Sequence, residues 1–348
     1  MTDSPLVSII ITNWNGIRYL EKCLGSVRSQ TYKNIETIVV DNNSTDGSLD
    51  FIAREFPEVL VIKSGRNYGF AKANNTGIEA SNGKYIATMN NDTEAERDWI
   101  KNLVIAMEKS PDVGMCASKI LLFNHRDLID SAGMQIYPDG IAFCRGHLKK
   151  DQDSYNEEDY VLLPTACAAL YSKEAVVRAG LFDGDYFAYG EDIDLGIRIG
   201  MLGYKCVYVP TARIYHYYSG TIGSNLSLKV YLSERNRIFT LMKCCSRTDL
   251  VLSFYHTVKR YLYYIYAWFK KAGVSRDFAK KESVFEIISV FFKVYFSVAL
   301  GAAGMLKKRR EIKLGKKMRF KKLYALKPEF KIKAREIAME RRIYIDWQ

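Results

Sequence analysis

The sequence predicts an α/β fold, an open and mostly parallel sheet with helices on both faces, followed by a helical C-terminal region. Two observations lead to this prediction. Segments typical of buried strands alternate with segments typical of helices over about residues 5–95, and an aromatic, apolar and finally basic region begins at about residue 226. The 348 residues suffice for more than one domain, and 48% hydrophobic with 26% charged residues excludes a wholly disordered chain.

The alternation is found in the first part of the chain. The predicted strands, three of them with polar residues at their ends, lie in LVSIIITNWNG, NIETIVVDNNSTDGS, VLVIKSGRN and KYIATMNNDTEA. The segments between them have helical spacing: RYLEKCLGSVRSQ, SLDFIAREFP, which stops at Pro57, and the small-residue segment GFAKANNTGIEAS. Strands and helices that alternate in this way form a parallel sheet covered on both faces.

Polar residues follow three of the predicted strands, at Thr12–Asn15, Asp41–Ser44 and Asn90–Asp92. The carboxyl ends of parallel strands lie at one edge of a sheet, where α/β folds bind their ligands. These clusters therefore predict one binding crevice rather than three unrelated turns.

The acids in these clusters indicate different roles. Asp41 can accept a hydrogen bond from a base N–H or a ribose hydroxyl, whereas residues 46–48 are typical of an Asx-turn that caps the next helix. The sequence has no GxGxxG motif, which disfavours a dinucleotide-binding fold. Asp92 is a natural ligand for Mg²⁺ or Mn²⁺, which prefer oxygen. His216 lies in an aromatic strand, where a histidine is more often structural.

Three carboxylates are crowded into FAYGEDIDLGIRIG, residues 187–200. In a helix that begins at Glu191, this residue shares one face with Asp194 and Arg198, and the latter two are spaced for an ion pair. Asp192 lies on another face among apolar residues, where an unpartnered carboxylate is costly. We therefore expect Glu191 and Asp194 to be structural and Asp192, buried and raised in pKa, to act as a general base.

The chain has a formal net charge of +12, and the excess lies from Lys307 onward. Such a run favours a phosphate, nucleic acid or anionic lipid surface, or a solvated helix face. The seven cysteines are irregularly spaced, which predicts reduced thiols and a cytosolic setting. The N-terminus has no basic region and only a short apolar run, so we predict no signal peptide and a cytoplasmic catalytic part.

The segment Val284–Leu306 is long enough to cross a bilayer. A helix there carries a narrow polar stripe of Glu286, Ser289, Lys293 and Ser297, which favours a position in the membrane interface with Phe291, Phe292 and Phe296 immersed. Aromatic residues before it and basic residues after it support contact with an anionic membrane surface. The alternatives are a soluble helical domain and a homodimer interface.

Together these segments resemble glycosyltransferase family 2, inverting enzymes with a GT-A fold. VSIIITNWNG is similar to its first strand, SQTYKNIETIVVDNNSTDGS to its second-strand signature, and NYGFAKANNTGI to its third block. NND stands where the family usually has DxD, and residues 182–220 resemble the block with the acceptor-side ED and a later histidine. The resemblance covers about residues 5–240, and the amino-acid sequences of these blocks are most similar to the rhamnosyltransferase branch.

The resemblance implies roles for particular residues. The nucleotide-sugar site would be lined by Thr12, Asn13, Asn15, Asp41, Asn43, Asn74, Asn75 and Asn91. Asp92 and His216 would hold Mg²⁺ or Mn²⁺, Asp192 would be the catalytic base, and Glu191 and Asp194 would lie in the acceptor region. Asn90 replaces a common first aspartate, and a neutral amide there implies weaker metal coordination.

The resemblance implies transfer of L-rhamnose from dTDP-L-rhamnose to a hydroxyl of a glycan or lipid-linked glycan, for cell-surface polysaccharide. We expect a GT-A domain over 1–225, a membrane-associating region over 226–306 and a basic tail over 307–348, peripheral on the inner face of the cell membrane. The alternatives are a UDP-sugar donor and an inactive nucleotide-sugar-binding scaffold. Without a nucleic-acid motif, we expect no nucleic acid partner.

Overall fold

The computed structural model describes residues 4–217, 226–270, 284–315 and 317–339. The chain divides into two compact units. Unit 1 comprises Met1–Met134 and Cys144–Gly223, and unit 2 comprises Gln135–Phe143 and Ser224–Gln348. The sequence-based division at 225/226 lies beside the later change of unit, but it leaves residues 135–143 in the first domain. The chain instead enters unit 2 at this point and returns.

The first part of unit 1 confirms the predicted alternation. Its elements are β1 (Val7–Asn13), α1 (Ile17–Arg28), β2 (Ile35–Asp41), α2 (Ser48–Glu55), β3 (Leu60–Lys63), α3 (Gly69–Ala80) and β4 (Tyr85–Asn90). β1 lies between β2 and β4 and is parallel to both, and β2 is also parallel to β3. The carboxyl ends of these strands therefore lie at one edge of the sheet.

The rest of the chain up to residue 216 extends this sheet. The further elements are β5 (Thr93–Ala95), α4 (Trp99–Met107), β6 (Val113–Leu122), β7 (His125–Ser131), β8 (Met134–Ile136), β9 (Ala142–Cys144), β10 (Asp159–Val161), β11 (Ala168–Ser172), α5 (Lys173–Ala179), α6 (Glu191–Met201) and β12 (Lys205–His216). The strand order is β10-β12-β6-β11-β4-β1-β2-β3, with β5 on β12 and β7 on β6. β11 is antiparallel to both β4 and β6, so β6 runs in the same direction as β4. β12 is parallel to β6, and β1–β4 are parallel to one another, so most strands of the sheet share one direction.

The core of unit 1 lies on both faces of the sheet, because strand side chains alternate between faces. Ile9 of β1 packs with Leu20 of α1 and Trp99 of α4, while Ile10 packs on the other face. A Cβ at Gly77 of α3 would clash with Ile10, so a glycine is needed where this helix meets the sheet. The predicted helices on both faces are confirmed, and the seven cysteines, all of them among the described residues, form no disulfide.

Unit 2 is mainly helical. It contains α7 (Leu226–Cys244), α8 (Arg247–Phe269), α9 (Val284–Gly315), α10 (Phe320–Tyr324), a 3₁₀ turn (Pro328–Phe330) and α11 (Ala334–Met339), together with most of the β8–β9 hairpin. α9 packs against α7, and the ring of Phe239 occupies the space that a Cβ at Gly301 would need. α9 also continues through residues 306 and 307, so the predicted start of the basic tail is not a helix end. The end of that tail, residues 340–348, lies outside the described residues.

The surface of α9 differs in two places from the prediction. Glu286, Ser289 and Lys293 are exposed, but the Ser297 hydroxyl lies 2.7 Å from that of Tyr231 on α7. Phe292 and Phe296 are 72% and 57% exposed, whereas Phe291 packs edge-on against the Tyr261 ring. Both differences arise because α7 and α8 cover one side of α9. Among the described residues, one helical stretch, Ile288–Ile312, is long and apolar enough to cross a membrane.

Candidate active site

A buried polar network joins the carboxyl ends of β1, β2 and β4. The Asn13 amide donates to Asp41 Oδ2 at 2.9 Å, and the Asn91 amide donates to Asn13 Oδ1 at 2.7 Å. The backbone N–H and the hydroxyl of Ser44 also donate to Asp41, at 2.8 and 2.6 Å. The structure thus brings Asn13, Asp41 and Asn91 together, and these bonds fix the Asp41 carboxylate in one orientation.

The loops at this edge need unusual backbone conformations. Asn15 and Asn43 have φ of 49° and 65°, in the left-handed region that asparagine tolerates. A Cβ at Gly16 would clash with the side chains of Asn91 and Asn13, so a larger residue there would displace the Asn91–Asn13 hydrogen bond. Thr12 lies between Val40 and Asn90 in the sheet. Thr12, Asn15 and Asn43 therefore lie at the edge where the resemblance places the nucleoside.

Asp46 confirms the predicted turn and adds a second contact. Its Oδ1 accepts from the Ser48 N–H at 3.1 Å, which closes the Asx-turn before α2. Its Oδ2 accepts from the Ile17 N–H at 2.9 Å, at the start of α1. One carboxylate therefore satisfies N–H groups at the beginnings of two helices.

The two asparagines of α3 have different surroundings. The Asn74 amide donates to the Phe70 carbonyl at 2.9 Å, while its buried Oδ1 has no hydrogen-bond partner among the described residues. Asn75 donates to the Phe182 carbonyl at 2.7 Å and accepts from the Phe182 N–H at 2.9 Å. A buried orphan oxygen is typical of a ligand site, so Asn74 fits its predicted role better than Asn75, which holds the backbone of Phe182.

Asp92 and His216 form the second part of the site. β5 is antiparallel to β12, with Thr93 opposite His216, and this pairing brings His216 Nε2 to 3.4 Å from Asp92 Oδ1. On the other side of the ring, His216 Nδ1 lies 2.7 Å from Asp130 Oδ2. Burial lowers the pKa of His216, but the adjacent Cys167 thiol and the two carboxylates outweigh burial and raise it well above its usual range.

These side chains fit a divalent cation. Two neighbouring ligands of one octahedral ion, each at about 2.1 Å, lie about 3.0 Å apart, close to the 3.4 Å between Asp92 Oδ1 and His216 Nε2. The buried Oδ1 of Asn90, at the end of β4, has no hydrogen-bond partner among the described residues. The described part of the chain holds no group of three or more His, Cys, Asp or Glu placed for a metal. A cation here would therefore need oxygens from a ligand or water, as Mg²⁺ sites commonly do.

The three acids of α6 differ from the prediction in how deeply each one is buried. Asp194 is fully buried and pairs with Arg198 at 2.7 Å, which confirms the ion pair. Glu191 is also buried, and its Oε2 has no hydrogen-bond partner among the described residues. Asp192 is the most exposed of the three. The expectation that Asp192 alone lies on the buried face is wrong, because the rest of unit 1 covers α6 on nearly every side.

Asp192 is nevertheless set up to take a proton. Its Oδ2 accepts from the Ala166 N–H at 3.1 Å and its Oδ1 from the Ile193 N–H at 2.8 Å. Burial of the carboxylate raises the pKa of Asp192, and these N–H groups offset only part of the rise. The backbone carbonyl of the next residue, Cys167, accepts a hydrogen bond from the Asn90 N–H at 2.9 Å. Residues 165–167 thus connect Asp192 with the Asn90–Asp92 strand end.

A strained loop precedes α6. Phe187 and Tyr189 have φ of 66° and 65°, values that cost energy for residues with a bulky side chain. The Phe187 carbonyl accepts from the Ala71 N–H at 3.3 Å, and a Cβ at Gly69 would clash with Phe187. The start of α3 therefore holds this loop, and the loop in turn sets where α6 begins.

Sequence reasoning missed Asp130 and residues 165–167. Asp130 lies in LIDSAG near the end of β7, where nothing in the local pattern marks it. Ala166 contributes only a backbone N–H, so its residue type carries no signal. Such contacts arise from strand pairings far apart in the sequence, which neither periodicity nor a short motif reveals.

The arrangement of strands and helices described above is a GT-A fold. Two solved structures share the fold at 16% sequence identity. GalNAc-T7 with UDP, GalNAc and Mn²⁺ matches at a TM-score of 0.63 over 94% of this chain and 57% of its own. The mannosyltransferase PcManGT from Pyrobaculum calidifontis, with GDP-Man and Mn²⁺, matches at 0.52 over 90% and 86%.

Residues 8–176 match the model of the family described as Glycosyl transferase family 2. Glycosyltransferase GlyA of Streptococcus pneumoniae is 39% identical over 216 residues, 58% of this chain and 29% of its own. An N-acetylglucosaminyl-diphospho-decaprenol L-rhamnosyltransferase of Mycobacterium tuberculosis is 26% identical over 254 residues, 64% of this chain and 79% of its own. The chain thus spans less than a third of the pneumococcal relative, and about a quarter of one from Sinorhizobium fredii.

Proposed function

We propose that this protein is an inverting glycosyltransferase that moves a sugar from a nucleoside diphosphate to an acceptor hydroxyl. The observation that carries the proposal is the connection made by residues 165–167. Ala166 holds the Asp192 carboxylate, and Cys167 binds the strand end that leads to Asp92. A single displacement at the anomeric carbon requires a base close to the site that binds the leaving diphosphate.

In this mechanism Asp192 takes the proton of the acceptor hydroxyl as its oxygen bonds to the anomeric carbon. The bond from that carbon to the diphosphate breaks at the same time, and the diphosphate leaves with the electron pair. Attack from the opposite face inverts the anomeric configuration. The raised pKa of Asp192 brings its proton affinity closer to neutral pH than that of an ordinary aspartate, which favours general-base action.

Asp92 and His216 would hold Mg²⁺ or Mn²⁺, and Asn90 would supply a further amide oxygen. The bound cation would offset negative charge on the leaving diphosphate. Both structural neighbours contain Mn²⁺, which supports this assignment. We expect chelation to stop transfer and either metal to restore it, and we expect Asp92→Ala to weaken donor binding. Full activity in excess chelator would exclude the metal role.

The proposed donor is dTDP-L-rhamnose and the proposed acceptor a glycan or lipid-linked glycan. Two observations support this proposal. The sequence blocks quoted above resemble the rhamnosyltransferase branch, and the name of the mycobacterial relative specifies an N-acetylglucosaminyl-diphospho-decaprenol L-rhamnosyltransferase. A UDP-sugar remains the second candidate, because GalNAc-T7 was solved with UDP and GalNAc.

A panel of nucleotide sugars tests both the donor and the activity. We expect dTDP-L-rhamnose to raise the melting temperature and to be consumed in the presence of Mg²⁺ or Mn²⁺. Stabilisation by UDP-glucose or UDP-N-acetylglucosamine, with none by dTDP-L-rhamnose, would overturn the donor assignment. Donor binding without any hydrolysis or transfer, across acceptor preparations, would instead favour an inactive nucleotide-sugar-binding scaffold.

We further propose that unit 2 attaches the enzyme peripherally to the inner face of the cell membrane. α8 exposes a stripe of apolar residues at helical spacing: Val251, Phe254, Tyr255, Val258, Leu262, Ile265, Trp268 and Phe269. α9 exposes a second stripe: Phe285, Ile288, Phe292, Tyr295, Phe296 and Leu300. Exposed apolar surface on this scale is typical of an interaction site.

The charge of unit 2 favours an anionic lipid surface as the partner. Many basic side chains of the C-terminal run are exposed, among them Lys307, Arg310, Lys317, Arg319, Lys321, Lys322, Lys331, Lys333 and Arg335. The packing of α9 on α7 leaves the outer face of α9 exposed, and one exposed face suits a helix that lies in the membrane interface rather than one that spans the bilayer. A lipid-linked acceptor would give such attachment a purpose.

A further inference from the structure

A buried carboxylate outside the mechanism above holds the ring of His216. Asp130, near the end of β7, is 6% exposed, and its Oδ2 lies 2.7 Å from His216 Nδ1. A carboxylate at this distance accepts a hydrogen bond, so Nδ1 carries the proton. In the neutral ring Nε2 then has the lone pair, and Nε2 is the atom that faces Asp92 at 3.4 Å.

A second histidine holds Asp130 from the other side. His147 Nδ1 lies 3.2 Å from Asp130 Oδ1 and 3.1 Å from the Asp130 carbonyl oxygen. The segment around His147 is bonded to β7 on both sides, since Leu148 N–H donates to the Ile129 carbonyl and Ala132 N–H to the Arg145 carbonyl, both within 2.9 Å. Both oxygens of Asp130 are thus occupied, and the carboxylate cannot rotate without losing one of the histidines.

We propose that Asp130, itself braced by His147, is a positioning residue that fixes the tautomer and the direction of His216 for a divalent cation shared with Asp92. This inference rests on the metal site of the proposed function. Metal-binding histidines usually donate their other ring N–H to a carboxylate or carbonyl, and loss of that partner typically weakens metal binding about 10–100-fold. Asp130 would touch neither the cation nor the sugar.

The experiment measures Mn²⁺ affinity of the full chain by electron paramagnetic resonance, with saturating nucleoside diphosphate. We expect Asp130→Ala to weaken Mn²⁺ binding about 10–100-fold, Asp130→Asn to weaken it less, and His147→Gln least of the three. Asp127→Asn, an exposed aspartate on the same strand, is the matched control and should leave the affinity unchanged. Folding of each variant is checked by its melting temperature.

A second readout separates positioning from general stability. ¹⁵N NMR at a pH high enough to make the His216 ring neutral should show the Nδ1–H tautomer in the native protein and a mixture in Asp130→Ala, or in Asp130→Asn if the alanine variant does not fold. Folded Asp130 variants with native Mn²⁺ affinity and an unchanged tautomer would overturn this inference alone. A native protein that binds no Mn²⁺ would instead overturn the metal site on which it rests.

Discussion

At the scale of single residues, α6 shows how burial changes the meaning of a motif. Helical spacing correctly predicts that Asp194 pairs with Arg198, because the pair depends only on local geometry. The same spacing wrongly predicts which acids face solvent, because it assumes that one side of the helix is open. α6 is covered on nearly all sides, and the acids near its start differ in burial for reasons of tertiary packing.

Replacing Asp192 tests the proposed base. We expect Asp192→Asn to lower kcat about 10²–10⁴-fold while leaving the Kd for the donor almost unchanged, because the amide keeps the shape but cannot take a proton. Single-turnover transfer and donor titration measure the two effects. Asp50→Asn, an exposed aspartate on α2, serves as the control and should keep native turnover. A variant with more than half of the native turnover would exclude Asp192 as the base.

Glu191 should make stability depend on pH. Burial, with Asp192 and Asp194 nearby, raises the pKa of Glu191 well above 4.5, so the folded state binds its proton more tightly than the unfolded state does. Its stabilising contribution is complete below about pH 4.5 and is lost as pH rises through the raised pKa. We expect Glu191→Gln, which stays neutral, to raise the melting temperature relative to the native protein more at pH 8 than at pH 5.

The control for this measurement is Glu79→Gln, an exposed glutamate on α3. Its difference in melting temperature from the native protein should be nearly the same at both pH values. If the difference for Glu191→Gln were equally flat, the carboxyl group would not be held protonated by its surroundings.

At the scale of elements, the sequence predicted the strands and helices of residues 5–95 because each is a regular segment with its own pattern. β1 through β4 alternate with amphipathic or small-residue helices, and polar residues mark the strand ends. Beyond β5, the short antiparallel strands have no such pattern. One available signal was missed: Pro138-Asp139-Gly140 is typical of a tight turn, and it closes the β8–β9 hairpin.

That turn carries the centre of a buried charge network in unit 2. Asp139 and Arg260 are almost completely buried and pair at 2.7 Å, and Arg260 also pairs with Glu234 at 2.8 Å. Arg237 pairs with Glu234 at 2.8 Å and donates to the Asp139 carbonyl. Burial would raise the pKa of Glu234, but the two arginines outweigh it and lower the pKa to about 2.

Loss of one partner should therefore destabilise unit 2 strongly. Arg260→Met leaves two buried carboxylates with a single cation, and we expect a loss of about 3–5 kcal/mol in the free energy of unfolding, measured in urea. Lys259→Met, the exposed neighbour on α8, should change it by no more than about 0.5 kcal/mol. Similar values for the two variants would mean that the network contributes little.

At the scale of the whole molecule, unit 2 should determine membrane binding. We expect the full chain to float with anionic vesicles at low salt, and serine at Phe254, Leu262, Phe292 and Phe296 to abolish flotation, because these apolar side chains are 57–72% exposed. High salt should weaken binding of the native protein through its basic side chains. Serine at Ile105 and Val177, exposed apolar residues of unit 1, is the control.

Other outcomes of this experiment have definite meanings. A native protein that stays in the soluble fraction at low salt would refute peripheral attachment. If it were also a dimer that the α8 and α9 substitutions dissociate, the apolar stripes would form a homodimer interface. Release from native membranes only by detergent, with high salt and alkaline carbonate ineffective, would show that Ile288–Ile312 spans the bilayer.

The β8–β9 hairpin has a consequence for the order of biosynthesis. Arg237 follows Asp139 by 98 residues and Arg260 follows it by 121, so a ribosome releases the acid long before either cation exists. During that interval the parallel strands of unit 1 can form, while the β8–β9 hairpin stays exposed to solvent. A nascent chain that stops before α7 would keep Asp139 without either arginine, and we expect such a fragment to be a substrate for cellular proteases even though every residue of the candidate site has already been made.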